Sequence, residues 1–358
     1  MHNHFIIQQQ PSRKIILEGK EYDFFSGTSY LGMNQDNDFK ALLIQGLHRY
    51  GMSFGSSRNG NLQLDIYEAA EQKLASWIGA EKALTVSSGM LAGQLVAQYL
   101  KTLNATFFYA PQSHSANFHE PTVKPPAISF QEWAAGVNQM LIDAQAAHSV
   151  IVCNSNDALR ATQYDFGWTA TLPENQQITL VIDDSHGLGI TGNNGAGIFS
   201  NIRVKPNVEV LLVASLHKAM GIPGGVVLGS ASTLENLRST AFFSSCSPIA
   251  PAYLYAYMHA DSIYRRNYER LQENIRRFES QLLSAESLFS YLTGFPVFYT
   301  PHDSLYEYLF QQKVFIYSFA YPVRTGKPNT RIVLSAWHEP DQIDLLAEKC
   351  NDFMRTVL

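Results

Sequence analysis

Short apolar runs alternate with longer amphipathic stretches through the middle of the chain. The strand-like runs are Ala83–Ser87, Ala105–Tyr109, Ser149–Cys153, Ile178–Asp183, Val208–Ser215 and Gly225–Gly229, each bounded by turn or polar residues. Between them lie helix-like stretches. One is Leu62–Ile78, with apolar positions at Leu62, Ile66, Ala69, Leu74 and Ile78, and another is Met90–Leu103, directly after Gly89. This alternation predicts an α/β protein with a mostly parallel central sheet flanked by helices.

After residue 245 the pattern changes. A helical stretch from Ala250 to Ala285 precedes candidate strands Phe295–Tyr299, Val314–Phe319 and Arg331–Ala336, and an amphipathic helix Asp341–Leu358 closes the chain. The expected division is an N-terminal segment 1–37, a large domain 38–245 and a smaller C-terminal α+β domain 246–358. A helix is expected over Phe39–Tyr50. The segment ahead of it shows no sheet partner of its own and is expected to pack on the small domain or on a second subunit.

Composition narrows the function. At 358 residues the chain exceeds the size at which one hydrophobic core keeps growing, and 46% apolar against 16% charged residues excludes a disordered chain. A net charge of −5 without any Lys/Arg-rich block argues against nucleic acid or anionic membrane as partner, so small molecules are the expected ligands. Cys153, Cys246 and Cys350 lie far apart with no CxxC spacing, which suggests neither a zinc site nor a disulfide framework and fits a reducing cytoplasm. The opening MHNHFIIQQQ lacks the order of a signal peptide, and no apolar stretch approaches the roughly 20 residues that span a bilayer. A cytoplasmic protein without a metal is the resulting expectation.

In parallel α/β sheets ligands bind beyond the carboxyl ends of the strands, so polar residues that end apolar runs are the candidates. Asp183 and Asp184 end one such run. Two adjacent carboxylates there require partners, either a cation such as a protonated pyridine nitrogen, a magnesium ion, or the backbone of a turn. Lys218 follows another run, Val210–Ser215. It reads either as a solvated loop lysine or as an amine whose pKa burial lowers, so that it attacks an aldehyde. Ser215 lies three residues before it and is placed to bond a phosphate oxygen. A third string, Thr85 to Gly93, runs from strand to helix through Ser88-Gly89, and free N–H groups at a helix start bind anions.

Together these strings resemble the fold-type I pyridoxal-phosphate (PLP) enzymes, and within them the α-oxoamine synthase family, from about Phe25 to Leu346. The most specific parts are Asp183-Asp-Ser-His-Gly-Leu-Gly-Ile-Thr-Gly192 and Ser215-Leu-His-Lys218 followed by Gly-Gly. Phe25-Ser-Gly-Thr-Ser-Tyr-Leu-Gly32 resembles the family's opening motif, and Arg331-Ile-Val-Leu-Ser-Ala-Trp-His338 its late one. The resemblance implies the aspartate-aminotransferase-like PLP-dependent transferase fold and PLP as cofactor. It implies Lys218 as the Schiff-base lysine, Asp183 as partner of the pyridine nitrogen, His186 near the 3-hydroxyl and His114 stacked on the ring. Ser88, Gly89, Met90 and Ser215 would hold the phosphate. Ser245 would complete that site from the neighbouring subunit, which implies a homodimer with shared active sites.

By the same resemblance Arg331 pairs with the carboxylate of an amino acid, and the co-substrate is an acyl-CoA or acyl-carrier thioester. Three positions depart from the family. Thr28 stands where Asn is usual near the substrate, Ala158 where a serine lies near the cofactor, and Tyr67 where a histidine is common. All three spare the cofactor set. The expected activity is a PLP-dependent acyltransferase. The alternatives are an aminotransferase, aldolase or racemase, and a PLP-fold protein without turnover.

Overall fold

The computed structural model describes residues 5–321 and 325–357. Outside it lie the first four residues of the N-terminal stretch and Leu358, the last residue of the expected closing helix. The chain divides into two compact units. The larger comprises Asn37–Asn156 and Tyr164–Asp261, and the smaller the residues up to Asp36, Asp157–Gln163 and those from Ser262 onward.

Six strands form the sheet of the larger unit: β1 (Lys82–Val86), β2 (Thr106–Tyr109), β3 (His148–Asn154), β4 (Gln177–Asp183), β5 (Val208–Ser215) and β6 (Gly225–Gly229), in the order β1-β6-β5-β4-β3-β2. The pairs β2–β3, β3–β4 and β4–β5 are parallel, as the alternation with helices predicted. β6 is antiparallel to both β5 and β1. It follows β5 through the short loop 216–224, and so brief a connection cannot make the crossover that a parallel neighbour needs.

Both faces of the sheet are covered, so its strands are apolar throughout rather than alternating. Side chains still sort by parity. Val150, Val152, Val181, Leu211 and Val213 meet Ala92, Leu95, Val96 and Leu100 of α3 (Gly89–Thr102). Ile151, Cys153, Leu180 and Ile182 meet Phe130, Trp133, Val137 and Leu141 of a helix that the apolar pattern did not reveal, Phe130–Ala144. Its start carries the Ser-x-x-Glu signature, Ser129 Oγ accepting the Glu132 N–H.

The larger unit also holds α1 (Asn37–Tyr50), α2 (Asp65–Ile78) and a helix over Pro251–His259. The last packs tightly on α1: a Cβ at Gly46 would lie 2.6 Å from the Ala252 carbonyl. That contact draws residues 246–261 into the larger unit, whereas the sequence suggested a boundary after 245. The single helix expected from Ala250 to Ala285 is instead two, Pro251–His259 and Asp261–Gln281, broken at Ala260.

In the smaller unit the N-terminal segment does have a sheet, contrary to the sequence reading. Lys14–Leu17 and Lys20–Phe24 pair as a hairpin, and Lys20–Phe24 pairs in parallel with Val314–Phe315. The turn is Glu18-Gly19, both at positive φ, which is the twist that a two-residue hairpin requires. Four further strands of this unit form an antiparallel sheet in the order Ser290–Tyr291, Val297–Thr300, Asn329–Val333 and Tyr317–Phe319, and Thr162–Gln163 pairs separately with Asn156–Asp157. Among the described residues no helix is long and apolar enough to cross a membrane.

Candidate active site

The carboxyl ends of β3, β4 and β5 lie side by side, Asn154 opposite Asp183 and Asp183 opposite Val213. Asp183 ends β4 half-buried. Its Oδ1 accepts the Ser185 N–H at 3.0 Å, and its Oδ2 accepts Asn117 Nδ2 at 2.8 Å. His114, which caps the short turn Ser115–Asn117, lies within electrostatic reach of both Asp183 and Lys218. Burial lowers its pKa, the Asp183 charge opposes that shift and the Lys218 charge adds to it. The three residues singled out from the sequence thus converge at one end of one sheet.

Lys218 is half-buried in the loop that leaves β5. Leu216 anchors that loop, its N–H donating to the Gly224 carbonyl at 2.9 Å while its own carbonyl accepts the Ile222 N–H at 3.0 Å. Leu216, Ala219, Met220 and Ile222 are buried around the lysine backbone. His186 sits half-buried in the turn after β4, where Gly187 and Leu188 both donate to the Asp184 carbonyl.

Next to this cluster, Ser88 caps α3 by accepting the Leu91 N–H at 3.1 Å. A Cβ on Gly89 would come 2.6 Å from Ser215 Cβ, and one on Gly225 would come 2.3 Å from the Ser88 carbonyl oxygen. Only glycine at both positions lets the helix start, Ser215 and β6 meet this closely. The result is a cradle of helix-start N–H groups and a hydroxyl, a donor set suited to a phosphate, beside an amine and a carboxylate suited to an aldehyde-bearing pyridinium. The residues present therefore fit PLP.

Asp184 behaves differently from its neighbour. It is fully buried, with Oδ2 accepting the Ile198 N–H at 2.9 Å, and its carboxylate is wedged where a Cβ on Gly187 or Gly197 would collide with it. Burial pushes its pKa up to about 7. The hydrogen bonds from Ser155 and the Ile198 N–H oppose that rise.

Sequence reasoning missed the supports. Asn154 Oδ1 accepts the His114 N–H at 3.2 Å and its Nδ2 donates to the Gln112 carbonyl at 2.7 Å, which fixes the histidine's backbone. Ser185 Oγ accepts the Ser215 N–H at 2.8 Å and ties the turn after β4 to the end of β5. Behind β1, Arg58 is buried with Nη1 and Nη2 at 2.8 and 3.0 Å from Glu71, its guanidinium 4.2 Å from the Tyr67 ring centre. Glu71 in turn accepts the Thr85 N–H and hydroxyl at 2.8 and 2.7 Å. Tyr67, the departure from histidine, stacks on this arginine and donates its hydroxyl to the Ile249 carbonyl.

Of the remaining candidates, Met90 and Ser245 are exposed on the larger unit. Arg331 and Thr28 belong to the smaller unit. Thr28 is half-buried in the loop after Lys20–Phe24. Arg331 is only 7% exposed, and its Nη1 donates to the carbonyl of Ala158 at 3.2 Å. No carboxylate forms an ion pair with it among the described residues. The Tyr30 hydroxyl feels its charge, which opposes the upward pull of burial that brings that phenol to about 12.

A doubly covered, mostly parallel sheet with this amine, carboxylate and anion cradle at its carboxyl end defines the PLP-dependent transferase class. A family model described as aminotransferase class I and II matches residues 26–349, and the chain belongs to that family. It is a PLP-dependent transferase. The chain is 27% identical to an 8-amino-7-oxononanoate synthase of Buchnera aphidicola over 96% of its own length and 91% of the relative's. It is 30% identical to one of Serratia proteamaculans over 95% and 91%. Among solved structures, the serine palmitoyltransferase of Sphingomonas wittichii superposes with a TM-score of 0.80 at 18% identity, over 98% of this chain and 92% of that one.

Proposed function

We propose that the protein is a cytoplasmic α-oxoamine synthase that condenses an amino acid with an acyl thioester, working as a homodimer. The observation that carries the reading is the convergence of Lys218, Asp183 and His114 beside the Gly89–Ser215 cradle. When bound, PLP supplies an electron sink for a carbanion at the α-carbon of the amino acid. Lys218 Nζ is the amine that would hold the cofactor's aldehyde, and the same amine would serve as the base for the α-proton. Asp183 would pair with the ring nitrogen, His114 would lie against the ring and His186 would meet the 3-hydroxyl. Backbone N–H groups of Gly89 and Met90, with the hydroxyls of Ser88 and Ser215, bind the phosphate, and Ser245 of a second copy completes that set.

Arg331 receives the carboxylate of the amino acid. A guanidinium this buried is costly without an anion, and one carbonyl does not balance its charge. The 8-amino-7-oxononanoate synthases and the serine palmitoyltransferase similar to this chain support the acyl-thioester co-substrate.

Borohydride reduction followed by peptide mapping tests the cofactor site, with the adduct expected on Lys218 and the visible absorption lost in Lys218→Ala. Incubation with a panel of amino acids and acyl-CoAs tests the reaction through release of free thiol. An adduct on another lysine, or conversion of PLP to its amine form by an amino acid with no thiol released in any pair, refutes the assignment.

A further inference from the structure

Asn117 takes no part in the roles given above, yet it is the side chain that holds Asp183. It is 2% exposed at the end of the turn Ser115–Asn117 and gives its Nδ2 to Asp183 Oδ2 at 2.8 Å. Its own Oδ1 is buried without a hydrogen-bond partner among the described residues. A buried amide that leaves one end unpaired loses solvation that its surroundings do not return, which marks its contact with the carboxylate as the reason for its placement.

The backbone around it is arranged for that contact. A Cβ at Gly93 of α3 would lie 2.6 Å from Asn117 Oδ1 and 2.5 Å from the Ala116 carbonyl, so glycine lets the turn sit directly on the helix. Gln94, on the same helix, pins the turn by donating Nε2 to the carbonyls of Ala116 and Phe118 at 2.9 and 3.0 Å. With Asn117 on Oδ2 and the Ser185 N–H on Oδ1, the Asp183 carboxylate has one donor on each oxygen and cannot rotate without losing both.

We propose that Asn117 is a positioning residue that fixes the plane of the Asp183 carboxylate toward the ring nitrogen of PLP. The choice of an amide is part of the argument. A cationic donor would compete with the pyridinium for the charge of Asp183, and an acid would repel it, whereas a neutral donor orients the carboxylate and leaves its charge for the cofactor. The inference rests on the reading that Asp183 faces the ring nitrogen.

The test compares wild type, Asp183→Asn, Asn117→Leu and Asn117→Asp, with PLP affinity measured by equilibrium dialysis and the protonation of the ring read from the 15N shift of labelled PLP. Leucine removes the donor at similar volume; aspartate keeps the shape and replaces the donor with an acceptor, so it serves if the leucine variant fails to fold. Asn117→Leu should bind PLP about tenfold more weakly, the usual worth of a hydrogen bond to a charged group, and move the 15N shift toward unprotonated pyridine. Asn117→Asp should move it further. If Asp183→Asn changes both readouts while the Asn117 variants match wild type or lose only thermal stability, the inference is overturned and the cofactor reading stands. If Asp183→Asn keeps the wild-type shift, the reading of Asp183 fails and the inference falls with it.

Discussion

Replacing Arg58 by methionine removes the cation from a buried pair and leaves Glu71 behind. Glu71 is 5% exposed and, among the described residues, would retain only the Thr85 N–H and hydroxyl as donors. Breaking a buried pair from one side costs about 3–5 kcal/mol, because the desolvation of the surviving charge is no longer compensated. Loss of the guanidinium from the Tyr67 ring adds roughly 1 kcal/mol. Arg58→Met should therefore lower the unfolding free energy in urea by about 4–6 kcal/mol. Removing both charges in Arg58→Met with Glu71→Leu should recover more than half of that, since a packed apolar pair is often no worse than a buried ionic one. The damage should also reach the cofactor, because Thr85 lies in the strand that leads to Ser88 and Gly89. Equilibrium urea unfolding followed by far-UV circular dichroism, with PLP retention after dialysis, measures both effects. A single variant that loses less than about 1 kcal/mol, or a double variant less stable than the single, would falsify the account of this pair.

Two further outcomes follow from the acid behind the site and the arginine of the smaller unit. Asp184 keeps its proton in the folded chain up to about pH 7, whereas the unfolded chain releases it near 4, so its contribution to stability is greatest below pH 4 and declines as pH rises to 7. Melting of wild type against Asp184→Asn across pH 4–8 should show wild type losing roughly 2–4 kcal/mol relative to the variant over that window, and a constant difference would refute the buried acid. Arg331→Met should raise KM for the amino acid at least tenfold, from about 1.5–3 kcal/mol of lost charged hydrogen bonds, while leaving the melting temperature unchanged or slightly higher. Steady-state kinetics and calorimetry on one preparation separate the two, and a large fall in stability with KM unaltered would make the arginine structural.

The central sheet was legible because its strands are buried on both faces and end in polar residues, so Asp183, Ser215 and Lys218 stood out as breaks in apolar runs. The Lys14–Phe24 hairpin was not legible, since Glu18-Gly19 carries a weaker turn signal than Asn-Gly and the partner strand lies far along the chain. The break at Ala260 was hidden because alanine continues a helical pattern. In the site, Lys218, Asp183 and His114 carried recognisable strings, whereas Asn117, Asn154 and Ser185 act by hydrogen bonds to residues distant in sequence. Their one trace was composition: small polar residues clustered after apolar runs, and Gly93 one helical turn beyond Gly89.

The hairpin at the start of the chain meets partners 291 residues away, with Ser26 accepting the Tyr317 N–H. During synthesis this hairpin emerges long before Val314–Phe315 and must wait for them. The nearly contiguous stretch from Asn37 to Asp261 has by then all its own strands in hand and can fold beforehand. A nascent chain stalled before residue 314 should therefore display a protease-resistant centre with an unprotected leader.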